Sequence, residues 1–188
     1  MSEPAVARFE EHLAYAGELR LEWRPLRSLP AAEESMRLRD ANLTVLSLVA
    51  AVEEHRTESS EEESALGVDL LRLDAKLNLL LELMQRMAAR DRELPARRAQ
   101  RLNAHGIALP ADATAPALGS MVVVCIHLEA CRAMPLELVA RVMALSDPGW
   151  ILLAFVEQGA AMEEALDRLV FRYHRRQVAI ERRGAKAE

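Results

Sequence analysis

A chain of 188 residues that is 51% hydrophobic but only 4% aromatic can bury a real core, and must fill it mainly with Leu, Val, Ala and Met, the residues of helical interfaces. Its formal net charge of -5 argues against the broad positive field that binds a phosphate backbone, so no nucleic-acid partner is expected. Arg, Asp or Glu interrupts every apolar run before it reaches the roughly 20 residues that cross a bilayer, so no membrane span is expected and the protein should be soluble.

Val6, Phe9 and Leu13 recur at helical spacing between Glu3 and Tyr15, and Gly17 offers a stop, which predicts a short first helix. Leu19, Leu21 and Trp23 then alternate with Arg20, Glu22 and Arg24, a period of two that predicts a half-buried strand at residues 18–24, closed by Pro25. After Pro30, the residues Leu38, Ala41, Val45, Leu48 and Val52 alternate steps of three and four, predicting a helix over residues 31–56. The polar run Thr57 to Ser64 reads as a turn, with Ser60 and Glu63 spaced as a capping box.

The next helix, Leu66 to Met87, carries an unbroken heptad seam: Leu66, Leu70, Leu73, Leu77, Leu80, Met84 and Met87. With Leu70, Leu77 and Met84 as a positions, the flanking e and g positions hold Asp69, Asp74 and Lys76 early but Leu81 and Leu83 later. That broad apolar face exceeds what two strands use, so the seam predicts a homo-oligomer interface, a tetramer or trimer over a dimer, with the tetramer favoured. An intramolecular alternative stays open, because Leu79 points away from the seam and needs a second surface.

Beyond Asp91 the period falls to two. Leu94-Pro95 breaks the helix, Ile107 to Leu109 is strand-like, and Pro110 to Pro116 reads as a loop. Strands follow at Met121 to Leu128, at Leu136 to Leu145 around Glu137 and Arg141, and at Trp150 to Val156 after the Asp147-Pro148-Gly149 turn, with an antiparallel meander as the economical topology. A basic-ended helix from Ala161 to Arg182 closes the chain, with Leu166, Leu169, Val170 and Tyr173 on one face.

Cys125 and Cys131 lie in or beside an apolar stretch, and the N-terminus carries no signal-peptide pattern, which points to free thiols in a reducing, cytoplasmic setting. Cys125 and His127 share a strand face, but their context is apolar and no orienting acid is identifiable, so packing explains them better than a nucleophile. His12, His55, His105, His127 and His174 lack metal-site spacing, no Gly-rich phosphate loop exists, and no catalytic motif is present, so neither an enzyme nor a metal site is expected. His105 reads as a turn residue before Gly106.

An Arg-rich segment, the motif strand Arg101-Leu102-Asn103-Ala104-His105-Gly106-Ile107-Ala108-Leu109, a hairpin, the phrase Met134-Pro135-Leu136-Glu137-Leu138-Val139-Ala140-Arg141-Val142, a Gly149-Trp150 strand and a terminal helix together resemble the PilZ family. The likeness covers residues 94–178, with the strand at 18–24 as first strand. It implies an α+β fold: a six-stranded antiparallel β-barrel with two long inserted helices and a C-terminal helix. The expected organisation is residues 1–30 for the first helix and strand, 31–92 for the helical insertion, and 93–188 for the barrel and last helix.

The resemblance implies bacterial signalling in pilus, motility or virulence systems, and many PilZ domains receive cyclic di-GMP. In the family an Arg-x-x-x-Arg segment and a D/N-x-S-x-x-G strand hold that ligand, the arginines as bidentate donors and the glycine by admitting close approach. Here Gly106 matches, but Asn103 stands at the serine position and Arg101, a donor where an acceptor is required, at the Asp/Asn position. The ligand-binding candidates are therefore Arg97, Arg98, Arg101, Asn103 and Gly106, in a degenerate motif. Weak or absent cyclic di-GMP binding, no resident cofactor, and action through a protein partner are expected; the alternative is a genuine receptor using Arg97, Arg98 and Arg101.

Overall fold

Alternating and continuous apolar runs produce six strands: β1 (Tyr15–Pro25), β2 (Arg97–Asn103), β3 (Gly106–Pro110), β4 (Met121–Leu128), β5 (Cys131–Ala144) and β6 (Trp150–Phe155). They close into an antiparallel barrel; the helices bounded among the described residues are α1 (Glu3–Glu11), α2 (Ala32–His55) and α3 (Ala160–Gly184). The structure, a computed structural model, describes residues 3–55, 77, 84, 94–145, 147, 149–156 and 158–184. The expected α+β class and six-stranded barrel are observed. The turn expected at Thr57 to Ser64 and the helix at Leu66 to Met87 lie outside the described residues, apart from Leu77 and Met84, both helical.

The strand order is β1-β2-β3-β6-β5-β4: β4, β5 and β6 form the expected antiparallel meander, while β3 pairs with β6 rather than with β4. A period of two tells which face a residue takes but not which strand lies alongside. β1 resolves the closure: Tyr15 to Arg20 pair with β2, and Arg20 to Pro25 pair with β4. Three boundaries also move. Gly17, read as a helix stop, lies inside β1, and the stretch Arg101 to Leu109, read as one strand, is a hairpin that turns at Ala104 and His105. β5 starts at Cys131, ahead of the expected Leu136. It can carry Pro135 because β6 pairs only with Ala140 to Ala144, leaving that half of its outer edge free of a strand partner.

Inward residues such as Leu21, Leu102, Ile107, Ile126, Leu138 and Leu153 are essentially fully buried, each worth about 1.5–3 kcal/mol of transfer free energy. Val45, Leu46 and Val49 of α2 and Met162, Leu166, Leu169 and Val170 of α3 join the same cluster, so both helices complete the barrel's core. On α2 the buried face is Asn42, Val45, Leu46 and Val49. The expected seam is rotated: Ala41 is exposed and Leu48 is 36% exposed. The cause is Asn42, whose amide pairs with the β5 backbone, donating to the Glu137 carbonyl at 2.8 Å and accepting from its N–H at 2.9 Å. A side chain here does what a neighbouring strand would do, which lets a polar residue take a core position.

Candidate functional site

The β2–β3 hairpin holds the motif residues in register, with Asn103 opposite Gly106, Leu102 opposite Ile107 and Arg101 opposite Ala108. Because side chains alternate along a strand, Arg97 and Arg101 project from one face of β2, while Arg98 shares the other face with buried Gln100 and Leu102. The three guanidinium groups therefore diverge. Arg97 pairs with Glu129 in the β4–β5 turn, a carboxylate that also receives Arg132. Arg98 lies 4.9 Å over the Trp23 ring and reaches Thr114 Oγ1 at 3.0 Å and Asp112 at 3.4 Å. Arg101 stacks 4.2 Å over the Trp150 ring and pairs with Asp147 at 2.9 Å.

Asp112 is held below the usual carboxylate range, first by the Thr114 hydroxyl, which donates at 2.6 Å, then by the Thr114 N–H at 2.8 Å, with Arg98 adding to the effect. Each arginine thus ties β2 to a different loop: β4–β5, β3–β4 and β5–β6.

Asn103 is fully buried and directed away from solvent. Its amide donates to the Phe9 carbonyl at 2.9 Å and its oxygen accepts from the His105 N–H at 2.9 Å. Phe9 brings α1 down on the outside of the barrel, packed with Ala108, Met143, Leu152 and Ala154. The position where the family resemblance implies a ligand-binding serine is used here to seat a helix. Gly106 is required by close approach: a Cβ there would lie 2.8 Å from Leu152 Cδ1 and 2.9 Å from the Leu153 carbonyl oxygen. An open cleft of about 490 Å³ remains beside this end, lined by Arg8, Ala104, His105, Phe155 and Glu163 among others.

A second cleft, of about 630 Å³, runs between α3 and the barrel, lined by Tyr15, Arg97, Arg132, Tyr173, Arg176 and Ile180 among others. Arg97 is the only candidate ligand residue among its lining residues. Cys125 and His127 are both buried; Cys125 packs against Val123 and Val139, and burial pushes its thiol above the ordinary range, opposed by nearby Arg24. Cys131 is free and is pushed up likewise. His127 directs Nδ1 to the Arg132 carbonyl at 3.1 Å. Among the described residues no cluster of three or more His, Cys, Asp or Glu could hold a metal, and no helix is long and apolar enough to cross a membrane.

Of the interface candidates Leu66, Leu70, Leu73, Leu77, Leu80, Met84 and Met87, only Leu77 and Met84 fall among the described residues. Both are helical and solvent-facing in the single chain, at 51% and 66% exposure. One heptad apart, they are the two a positions of the seam that can be placed. Sequence reasoning missed Asn42, Phe9 and the two tryptophan platforms, because each acts through a partner distant in sequence.

The family model described as "Atypical PilZ domain, cyclic di-GMP receptor" matches residues 45–183. Among solved structures, a Xanthomonas campestris pathogenic protein, described as a new tetrameric PilZ domain self-assembled via an unusual helical bundle, is 28% identical with a TM-score of 0.74. The match covers 95% of this chain and 98% of that one. No curated protein matches.

Proposed function

The chain belongs to the atypical PilZ family, and from that premise we propose that it is a signalling adaptor that assembles as a homotetramer through the Leu66 to Met87 seam and acts through protein partners. It binds cyclic di-GMP weakly or not at all and catalyses no reaction. The observation that carries the assembly is the pair Leu77 and Met84, two large apolar side chains at equivalent heptad positions that the single chain leaves exposed. The helical-bundle tetramer of the Xanthomonas protein supports the same reading. The reading of ligand binding rests on the motif end: Arg97, Arg98 and Arg101 are each engaged by a carboxylate, and Asn103 is engaged by α1.

Light scattering at micromolar protomer concentration is expected to give a tetramer for the wild type and a smaller species for a Leu77→Glu, Met84→Glu double variant, since two charges per chain would be buried in the bundle. A monomeric wild type refutes the assembly. The second reading, a genuine receptor, is favoured by the family description itself. Calorimetry with cyclic di-GMP separates the two: tight binding that disappears in an Arg97→Ala, Arg101→Ala double variant establishes the receptor, and no heat at high micromolar ligand supports the adaptor.

A further inference from the structure

A glycine inside a strand weakens it and commonly marks a place where another group approaches the backbone closely. Gly17, within β1, is such a position. A Cβ there would lie 2.7 Å from Cζ of Tyr15, so the phenol ring folds back along the strand over the space a side chain would fill. The ring so placed meets Tyr173 of α3 edge to face, with centroids 5.1 Å apart and planes at 70°. Together with buried Leu19 and exposed Ile180, the two rings give an aromatic and aliphatic lining to the cleft of about 630 Å³ between α3 and the barrel.

The polar wall of the same cleft is cationic. Arg97, the first residue of β2, and Arg132, near the start of β5, pair with one carboxylate, a guanidinium on each oxygen of Glu129. A guanidinium carries five N–H donors in a fixed fork; Glu129 engages Nη2 of Arg97, and Nε and Nη2 of Arg132. Glu129 is thus a bracket: it sets two half-exposed forks side by side with donors to spare, and cancels only one of their two charges. Arg176 adds a third guanidinium from α3 and Glu18 a second carboxylate, so the cleft keeps one unit of positive charge in a chain whose net charge is -5. Arg97 and Asn103 stand at opposite ends of β2, about 20 Å apart along the strand. The cleft therefore lies away from the motif end, and Arg98, Arg101, Asn103 and Gly106 take no part in its lining.

We propose that this cleft binds a small organic anion, with a planar apolar ring against Tyr15 and Tyr173 and one acidic group, a carboxylate or its equivalent, held by Arg97 and Arg132. Its volume falls within the roughly 300–1,000 Å³ of small-molecule sites, whose pattern is an apolar and aromatic lining with a few fixed polar groups. Burial of the ring supplies affinity, and the paired forks orient the acid by charge-assisted hydrogen bonds. Because Glu129 already holds the forks in place, little side-chain freedom is lost when the anion arrives. The site requires neither cyclic di-GMP nor the motif residues.

Fluorescence titration of the full chain with anilinonaphthalenesulfonate, a ring-bearing anion, tests it at one fixed salt concentration. A saturable rise at one equivalent per protomer is expected, displaced by naphthoate but not by naphthamide, which keeps the ring and lacks the charge. An Arg97→Gln, Arg132→Gln double variant should weaken the probe on the order of tenfold. Tyr173→Leu, which keeps apolar volume but removes a ring, should weaken it several-fold and carries the test even if the arginine pair is needed to fold the β4–β5 turn. The Leu77→Glu, Met84→Glu variant should bind as the wild type does, since the probe sits in the cleft and not on the seam. Absence of saturable binding overturns the site. So does displacement by naphthamide equal to that by naphthoate, or an affinity that falls in Leu77→Glu, Met84→Glu and is unchanged in both cleft variants.

Discussion

Replacing Asn42 with alanine should cost the protein about 2–4 kcal/mol, a large fraction of a typical domain's stability. The amide makes two hydrogen bonds to Glu137, at 2.8 and 2.9 Å, from a position 4% exposed. Two such bonds contribute about 1 kcal/mol each, and the Glu137 N–H and C=O left beneath α2 add a penalty of about 1–3 kcal/mol, reduced where water can enter the space vacated by the side chain. Asn42→Leu separates hydrogen bonding from packing: it restores volume but not the pairs, and should recover less than half the loss. Asn42→Asp should do no better, because its carboxylate accepts from the Glu137 N–H but opposes the Glu137 carbonyl with a buried charge. The assay is urea unfolding at one fixed protomer concentration, since assembly couples to apparent stability. A loss under about 0.5 kcal/mol for Asn42→Ala, the range of ordinary surface changes, refutes the claim that this amide clips α2 to β5.

Gly106→Ala should destabilise by about 1–3 kcal/mol, read by thermal unfolding, because the new methyl meets the Leu153 backbone carbonyl as well as the movable Leu152 tip. Cys125 and Cys131, both buried with thiols pushed above their usual range, should resist a thiol reagent at neutral pH until urea unfolds the chain; rapid labelling of the native protein would contradict their placement in the core. The Asp112 carboxyl should titrate by NMR below the ordinary aspartate value and return towards it in Thr114→Val, the hydroxyl being the largest cause. A depressed folded value means that this group's contribution is present above the unfolded carboxylate value of about 3.9 and is lost as pH falls through the folded one.

The sequence disclosed what local chemistry decides. Period-two runs located most of the barrel strands, and Leu166, Leu169, Val170 and Tyr173 identified the inward face of α3. What it hid was decided by pairing across distance. β4 lies beside β1 and β3 beside β6, which no periodicity encodes. Asn42 reads as a surface residue until the bare edge of β5 comes alongside it. At the candidate site the departures at Arg101 and Asn103 were legible, but their meaning was not, because Trp150, Asp147 and Phe9 each reach the motif from another part of the chain.

Those departures gain coherence when the arginines of β2 are followed to their partners. A dinucleotide site needs guanidinium groups that converge and are free to meet phosphate. Here Arg98 is on the opposite strand face from Arg97 and Arg101, and Glu129, Asp112 and Asp147 supply from three loops the negative charge that a phosphate would otherwise bring. Half-exposed pairs of this kind contribute only about 0–1 kcal/mol each, so single substitutions at Arg97, Arg98 or Arg101 should loosen individual loops rather than unfold the barrel. In this chain the β2 arginines pair with its own loops and Asn103 holds its first helix, which supports the proposal that its output lies in assembly and partner binding.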